Sequence, residues 1–253
     1  MRVVSWNLGY AFDFKTTHDR AWHYLGALDP DIAMLQEVRP ELPAWVEERW
    51  TIVRRPPRYW GTLILVKPDL GPRELAGDHP RFNDSDVYLA AGTVTLPDGT
   101  SLLVGSVHAP IGEATGDELF GFDPRAIKTP YAPAPSRNDV AYRYYRDTVR
   151  GRRFLVSGDW NVSPRLWDEH HPGDHEAEFF DRARDDGWID CYQAFHADEG
   201  QTLFKVGSPP YQADHAFCDG ETAKALRDCY IYPHPAEDLK LSDHAPLILE
   251  FEP

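Results

Sequence analysis

The 253-residue chain has little of several things. It has three cysteines, Cys191, Cys218 and Cys229. None stands in a CxxC pair, and the odd count makes no closed disulfide framework, so buried free thiols are expected. No apolar run approaches the length of about 18 residues that a membrane-crossing helix needs. The opening Met1-Arg2-Val3-Val4-Ser5-Trp6-Asn7 carries no apolar stretch of signal-peptide kind. A cytoplasmic location with no membrane span is therefore expected. Positive charge is also short: 26 Lys and Arg against 41 Asp and Glu leave a formal net charge of -15. Such a field repels polyanions and argues against non-specific coating of nucleic acid. A cation held in an acidic cleft would still let a phosphate approach.

What is present suits a packed globule. Hydrophobic residues make up 42% of the chain and eight are tryptophan, too many for a disordered segment. The length suits one large mixed domain, residues 1–253, with a sizeable core. Basic clusters occur at Arg54-Arg55-Pro56-Pro57-Arg58 and Arg150-Gly151-Arg152-Arg153, and each reads first as solvated surface.

Along the chain, Arg2 to Asn7 reads as a strand. Thr17 to Leu28 reads as a helix with Ala21, Leu25 and Leu28 on one stripe, stopped at Asp29-Pro30. Ile32 to Leu35 is a buried strand that delivers Gln36 and Glu37 at its end. Leu42 to Trp50 reads as helix, and Thr51 to Val53 and Gly61 to Val66 as strands. Val87 to Thr95 and Ser101 to Val107 flank Leu96-Pro97-Asp98-Gly99-Thr100, a hairpin signal, and the second arm ends at His108. Residues 109 to about 137 hold five prolines and little periodicity, which predicts a long loop beside His108. Asn138 to Val149 and Glu176 to Asp186 read as helices. Trp188 to Ala194, Ala213 to Phe217, Cys229 to Tyr232 and Leu247 to Phe251 read as strands.

The stretch Phe154-Leu155-Val156-Ser157-Gly158-Asp159-Trp160-Asn161 gathers these signals. Its apolar run makes a strand core, and Gly158 lets the backbone pass where a side chain would crowd. Asp159 and Asn161 then point the same way if the strand persists. The bland alternative is an Asp/Asn turn that satisfies its own backbone. The same type of residue recurs at other strand borders: Asn7, Glu37, His108, Asp214 and Asp243-His244. One such residue is ordinary. Eight acids, amides and imidazoles at strand ends point to a sheet edge built around a charged centre.

The ordered set Ser5-Trp6-Asn7-Leu8, Leu35-Gln36-Glu37-Val38, Ser106-Val107-His108-Ala109-Pro110, Ser157-Gly158-Asp159-Trp160-Asn161, Ala213-Asp214-His215 and Leu241-Ser242-Asp243-His244-Ala245-Pro246 resembles the endonuclease/exonuclease/phosphatase superfamily. These blocks cover nearly the whole chain in the family's order. The resemblance implies an α/β fold, a four-layer α-β-β-α sandwich of two mixed sheets flanked by helices, with the site at one end.

The residues themselves suggest roles in phosphate-ester hydrolysis, which needs a cation on a non-bridging oxygen, an aligned water and help for the leaving oxygen. Glu37 is the first candidate ligand for a hard Mg²⁺ or Mn²⁺. Asn7 would add an oxygen ligand or orient Glu37. Asp159 would position or deprotonate water, and Asn161 would hold that water or a phosphate oxygen. His244 would donate to the phosphate or the leaving oxygen. The resemblance assigns Asp214 as the partner of His244 and makes Asp243 a further metal-side or phosphate-side carboxylate. It also matches His108 to a second histidine that faces the phosphate in some branches. This chain has Gln212-Ala213-Asp214-His215 where the family often shows Arg-Ile-Asp-Tyr.

The expected partner is a phosphate-ester substrate, with DNA or RNA foremost, and no protein partner is inferable. A phosphodiester-cleaving nuclease leads. A small-molecule or lipid-head-group phosphoesterase is the rival, favoured mildly by the acidic balance. A catalytically silent binding module is a third reading, opposed by the presence of Glu37, Asp159, Asn161 and His244. His170-His171-Pro172-Gly173-Asp174-His175 reads as a solvated loop before a metal tract. Tyr142, Tyr144 and Tyr145 read as core or rim before base-stacking groups, and Trp60 would border the cleft or simply pack.

Overall fold

The computed structural model describes residues 1–9, 17–54, 60–75, 89–114, 135–165 and 176–252. In chain order the strands are β1 (Arg2–Asn7), β2 (Ile32–Val38), β3 (Thr51–Arg54), β4 (Gly61–Val66), β5 (Arg73–Glu74) and β6 (Leu89–Thr95). There follow β7 (Ser101–His108), β8 (Arg153–Asp159), β9 (Ile189–Asp190), β10 (Asp214–Cys218), β11 (Leu226–Ile231) and β12 (Leu247–Phe251). The α-helices are α1 (His18–Leu28), α2 (Ala44–Arg49), α3 (Arg137–Val149), α4 (Phe179–Asp185), α5 (Gly220–Ala225) and α6 (His234–Glu237). None of the described helices is long and apolar enough to cross a membrane.

Two six-stranded sheets form, in the orders β11-β12-β1-β2-β4-β3 and β5-β6-β7-β8-β10-β9. Each has one parallel pair at its centre, β1 with β2 and β7 with β8, and the neighbours are antiparallel. The sheets pack face to face, β1 over β8 and β2 over β7. Three apolar layers hold the α/β sandwich together. Val4, Trp6, Ala33 and Leu35 pack under Ala21, Trp22 and Leu25 of α1. Leu103, Val107, Phe154 and Val156 pack under Val140, Tyr144 and Tyr145 of α3 and Phe179 of α4. Val3, Ile32, Met34, Leu102, Val104, Leu155 and Cys218 fill the space between the sheets. Burying each such aliphatic side chain is worth about 1.5–3 kcal/mol.

Strand alternation explains what happens along that middle layer. On β1, Val3, Ser5 and Asn7 share one face; on β7, Val104, Ser106 and His108 do; on β8, Leu155, Ser157 and Asp159 do. From one end to the other the interior passes from aliphatic residues through buried hydroxyls to charged groups. The charged end lies at the C-terminal ends of both parallel pairs.

Most expected elements are present, with shifts that have local causes. Helix α2 starts at Ala44 because Pro43 holds an extended backbone before it. Helix α3 starts at Arg137, capped reciprocally by Ser136 and Asp139. The 96–100 hairpin turn closes through Leu96 N–H to the Thr100 carbonyl at 2.8 Å, with Gly99 at φ +81°. The strand expected over Trp188 to Ala194 is only the two residues of β9. Asp190 Oδ1 accepts from the Tyr192 and Gln193 N–H groups at 2.9 and 3.1 Å, which turns the chain away. The short helices α5 and α6 and the short β5 were not expected. Of the long loop, residues 115–134 lie outside the described residues, as do the 170–175 histidine tract, residues 55–58 of the first basic cluster, and Val87 at the start of the expected hairpin arm.

Candidate active site

Backbone geometry at the strand ends decides which side chains meet. At Gly158 an added Cβ would lie 2.0 Å from the Val107 carbonyl oxygen. Only glycine lets β8 run this close to β7, and that register sets His108 beside Asp159. Antiparallel β10 places Asp214 opposite Asp159 on the other flank. On β2 the pairing with β4 slips between Leu35↔Leu63 and Val38↔Gly61, so β2 carries one extra residue there. Glu37 in that bulge takes φ +51°, a left-handed backbone that costs a non-glycine residue about 1–2 kcal/mol.

The side chains converge around Asp159. Asn7 Nδ2 donates to Asp159 Oδ2 at 2.8 Å and to Glu37 Oε1 at 3.2 Å, while Asn7 Oδ1 accepts from the Gly9 N–H at 2.9 Å. His108 Nε2 stands 3.6 Å from Glu37 Oε1 and 3.7 Å from Asp159 Oδ2. His244 Nε2 stands 3.7 Å from the same Asp159 oxygen, and its Nδ1 lies 2.8 Å from Asp214 Oδ2. The His244 loop is tied back to β1. Ser242 Oγ donates to the Asn7 carbonyl at 2.7 Å and accepts from the His244 N–H, and Trp6 Nε1 donates to the His244 carbonyl. All six of Asn7, Glu37, His108, Asp159, Asp214 and His244 are at most 5% exposed.

Charge in so small a buried space is uneven. Burial pushes Asp159 up to about 7, with Asp214 and Glu37 reinforcing that direction and His244 and the Asn7 hydrogen bond opposing it. Burial and repulsion from His244 push His108 down to about 3, against the pull of Asp214. Burial also opposes charge on His244, but Asp214, Asp159 and Asp243 hold it well above the usual histidine range. The imidazolium is therefore His244, with Nδ1–H donated to Asp214.

Among the described residues, Glu37, His108 and Asp159 bring one ligand atom each within 4.8 Å of one another, and Asp159, Asp214 and His244 form an overlapping group of the same kind. The first group is the one suited to a cation, because His244 as imidazolium has no lone pair to offer. Asp214 Oδ1 is buried with no hydrogen-bond partner among the described residues. Buried carboxylates gathered around the Asn7 amide, beside that Asp214 oxygen, fit a hard divalent ion.

Asn161 and Asp243 sit differently. The strand ends at Asp159, and Asn161 takes φ +56° with its N–H donated to Asp159 Oδ1 at 2.9 Å, so the turn reading holds here. Its Nδ2 donates to the Ala109 carbonyl at 3.3 Å. The turn itself braces Asp159 from the far side. Asp243 is half-buried, belongs to neither group, and accepts from the Phe204 N–H through its carbonyl.

Two neighbours complete the picture. Trp60 lies 5.4 Å from His108 between ring centroids, so it borders the site. Tyr211, which the sequence did not single out, is half-buried, and burial together with Asp159, Asp214 and Asp243 raises its phenol. Its signal was only its place three residues before Asp214. Tyr142, Tyr144 and Tyr145 are buried in the α3 layer. Arg153 pairs with Leu102, at the opposite ends of β7 and β8 from His108 and Asp159. Six residues of strand, about 20 Å, separate it from the site. The second basic cluster therefore brings no cation there. Gln212 and His215, at the departure from Arg-Ile-Asp-Tyr, are buried: Gln212 Nε2 donates to the Asp214 carbonyl at 3.1 Å and His215 Nε2 reaches the Val162 and Gln212 carbonyls.

The model of the Endonuclease/Exonuclease/phosphatase family matches residues 4–244. Among solved structures, a 3′-5′ exonuclease from Neisseria meningitidis is similar with TM-score 0.72 and 21% identity, over 100% of both chains. A 3′ phosphatase from Neisseria bound to product DNA hairpin gives 0.68 and 19%, over 100% of this chain and 99% of that one. An AP endonuclease from Archaeoglobus fulgidus gives 0.68 and 15%, over 100% of both. These likenesses speak to the fold. No curated protein matches the chain. The chain belongs to the endonuclease/exonuclease/phosphatase family.

Proposed function

We propose that this member of the family is a Mg²⁺- or Mn²⁺-dependent phosphodiesterase that cleaves nucleic acid, acting as a single domain in the cytoplasm. The observation that carries the reading is Asp159 set between two imidazoles, with His244 backed by the hydrogen-bonded carboxylate of Asp214. Glu37 would hold the divalent ion, which supplies positive charge at a non-bridging phosphoryl oxygen. Asn7 orients Glu37 and Asp159 through its amide nitrogen. Asp159, whose proton affinity lies near neutrality, takes the proton of the attacking water as the new O–P bond forms. His244, held by Asp214, passes its Nε2 proton to the leaving oxygen as the old P–O bond breaks. Return of the Asp159 proton to His244 resets the site. Neutral His108 and Asn161 contact the phosphate or the water, and Asp243 adds a carboxylate at the rim.

Nucleic acid as substrate is supported by the nature of the similar structures, an exonuclease, an AP endonuclease and a phosphatase holding DNA. The net charge of -15 favours a second reading, a small phosphate ester or lipid head group. Hydrolysis of single- and double-stranded DNA and RNA, and of mono- and bis-(p-nitrophenyl) phosphate, separates them. Each is run with Mg²⁺, Mn²⁺ or EDTA beside His244→Ala. Metal-dependent nucleic-acid cleavage, lost in the variant, is the expected result. Turnover of the small esters alone would move the assignment to the second reading, and full activity of His244→Ala would overturn the site.

A further inference from the structure

Strand alternation sends Leu35 into the α1 layer and Gln36 toward the opposite sheet. Glu37 should then face α1, away from the site. It faces the site instead, and Val38 resumes the α1 side. Something must hold Gln36 and Glu37 both turned inward. The Gln36 side chain does so from across the sandwich. Its Nε2 donates to Ser106 Oγ on β7 at 3.0 Å and to the Met34 carbonyl at 3.1 Å. Ser106 Oγ in turn donates to the Leu35 carbonyl at 3.2 Å. The bulge is thus clamped just ahead of Glu37 by its own Gln36 amide and by one hydroxyl from the other sheet. Its backbone is pinned by the Leu8 N–H donated to the Gln36 carbonyl at 3.0 Å.

Ser106 is itself fixed from its outer face. Tyr145 Oη lies 2.8 Å from the Ser106 carbonyl and 2.7 Å from that of Ala90. The close approach is possible because residue 105 is glycine, where a Cβ would stand 2.4 Å from the Tyr145 ring. Both Gln36 and Ser106 are fully buried and cannot touch substrate.

We propose that Gln36 and Ser106 form an inter-sheet strut that positions Glu37 for cation binding. They are positioning residues, and the inference rests on the reading of Glu37 as a ligand. Gln36→Met keeps side-chain volume while removing the amide, and Ser106→Ala removes the hydroxyl. In each, Mn²⁺ binding by the whole protein, followed by electron paramagnetic resonance, weakens about tenfold, the double variant weakens little further, and kcat at saturating metal stays within about threefold of the parent. In a Glu37→Ala background the same substitutions change Mn²⁺ binding no further. Unchanged affinity in two folded variants overturns the strut. Hydrogen–deuterium exchange of residues 33–38 in the metal-free proteins supplies the independent readout. Faster exchange there in Ser106→Ala, whose own change lies 70 positions away, supports the strut even if the parent binds no Mn²⁺. In that event the ligand role of Glu37 fails alone. Unaltered exchange sinks the strut whatever the metal does.

Discussion

The two halves of the site share Asp159 and differ in how each imidazole meets its carboxylates. On one side His244 Nδ1 has Asp214 at 2.8 Å; on the other, His108 Nε2 has Glu37 and Asp159 oxygens at 3.6 and 3.7 Å. Both imidazoles are buried, and each half joins the two sheets. Burial alone lowers both. The difference teaches that Asp214, Asp159 and Asp243 together outweigh desolvation at His244, while at His108 burial, reinforced by the field of His244, keeps the ring neutral. In the proposed function one half delivers a proton and the other lies beside a cation.

The largest expected effect breaks the proton-donating half. His244→Ala should cost about 10²–10⁴-fold in kcat, with an unchanged far-UV circular dichroism spectrum. Asp214→Asn should lose nearly as much, since an amide neither fixes the Nδ1–H tautomer nor favours the imidazolium. An active Asp214→Asn protein would dissolve the distinction between the halves.

Effects on the other half are smaller and of a different kind. Glu37→Gln should raise the half-saturating Mn²⁺ concentration by about tenfold or more, with part of kcat recovered at high metal. His108→Asn should lower kcat/KM by about tenfold, a modest loss for a group already neutral. If His108→Asn proves as damaging as His244→Ala, the two imidazoles have equivalent roles and the comparison fails.

The smallest effect is on stability. Asp159 and His244 are both raised on folding. Each contributes stability that is fully present below its unfolded pKa and is lost as pH rises through the folded value. His108, lowered to about 3, acts oppositely, losing stability as pH falls below its ordinary 6.5. Metal-free protein should therefore lose thermal stability as pH rises above about 6.5 through the Asp159 value near 7. Asp159→Asn should flatten that slope, and Mn²⁺ should offset it in the parent. A slope identical in Asp159→Asn would remove Asp159 as its source.

Much of the fold was legible because its signals are local. Buried strands such as Gly61–Val66 carry continuous apolar runs, and the Asp98-Gly99 turn closes a hairpin. The candidate site residues stood out as polar groups at strand ends, and the structure gathers Asn7, Glu37, His108, Asp159, Asp214 and His244. The expectation of Asp159 and Asn161 pointing together failed, because Asp159 accepts the Asn161 N–H and reverses the chain. The Glu37 bulge left no trace in the period of β2, and the Gln36–Ser106 link spans 70 positions. Tyr211 was missed because only the packing of its hairpin brings it near the carboxylates.

By itself the sequence determined the alternation that sorts each strand's residues between two faces, and which polar residue stands at each strand's end. Period two and the conformational habits of Gly, Pro, Asp and Ser act over a few residues. Tertiary structure alone decided which ends meet, that Glu37 turns inward, and which histidine carries the charge. Those outcomes depend on desolvation and on partners as distant in sequence as Ser242 and Asn7, 235 positions apart, and no local pattern encodes the field that such partners make together.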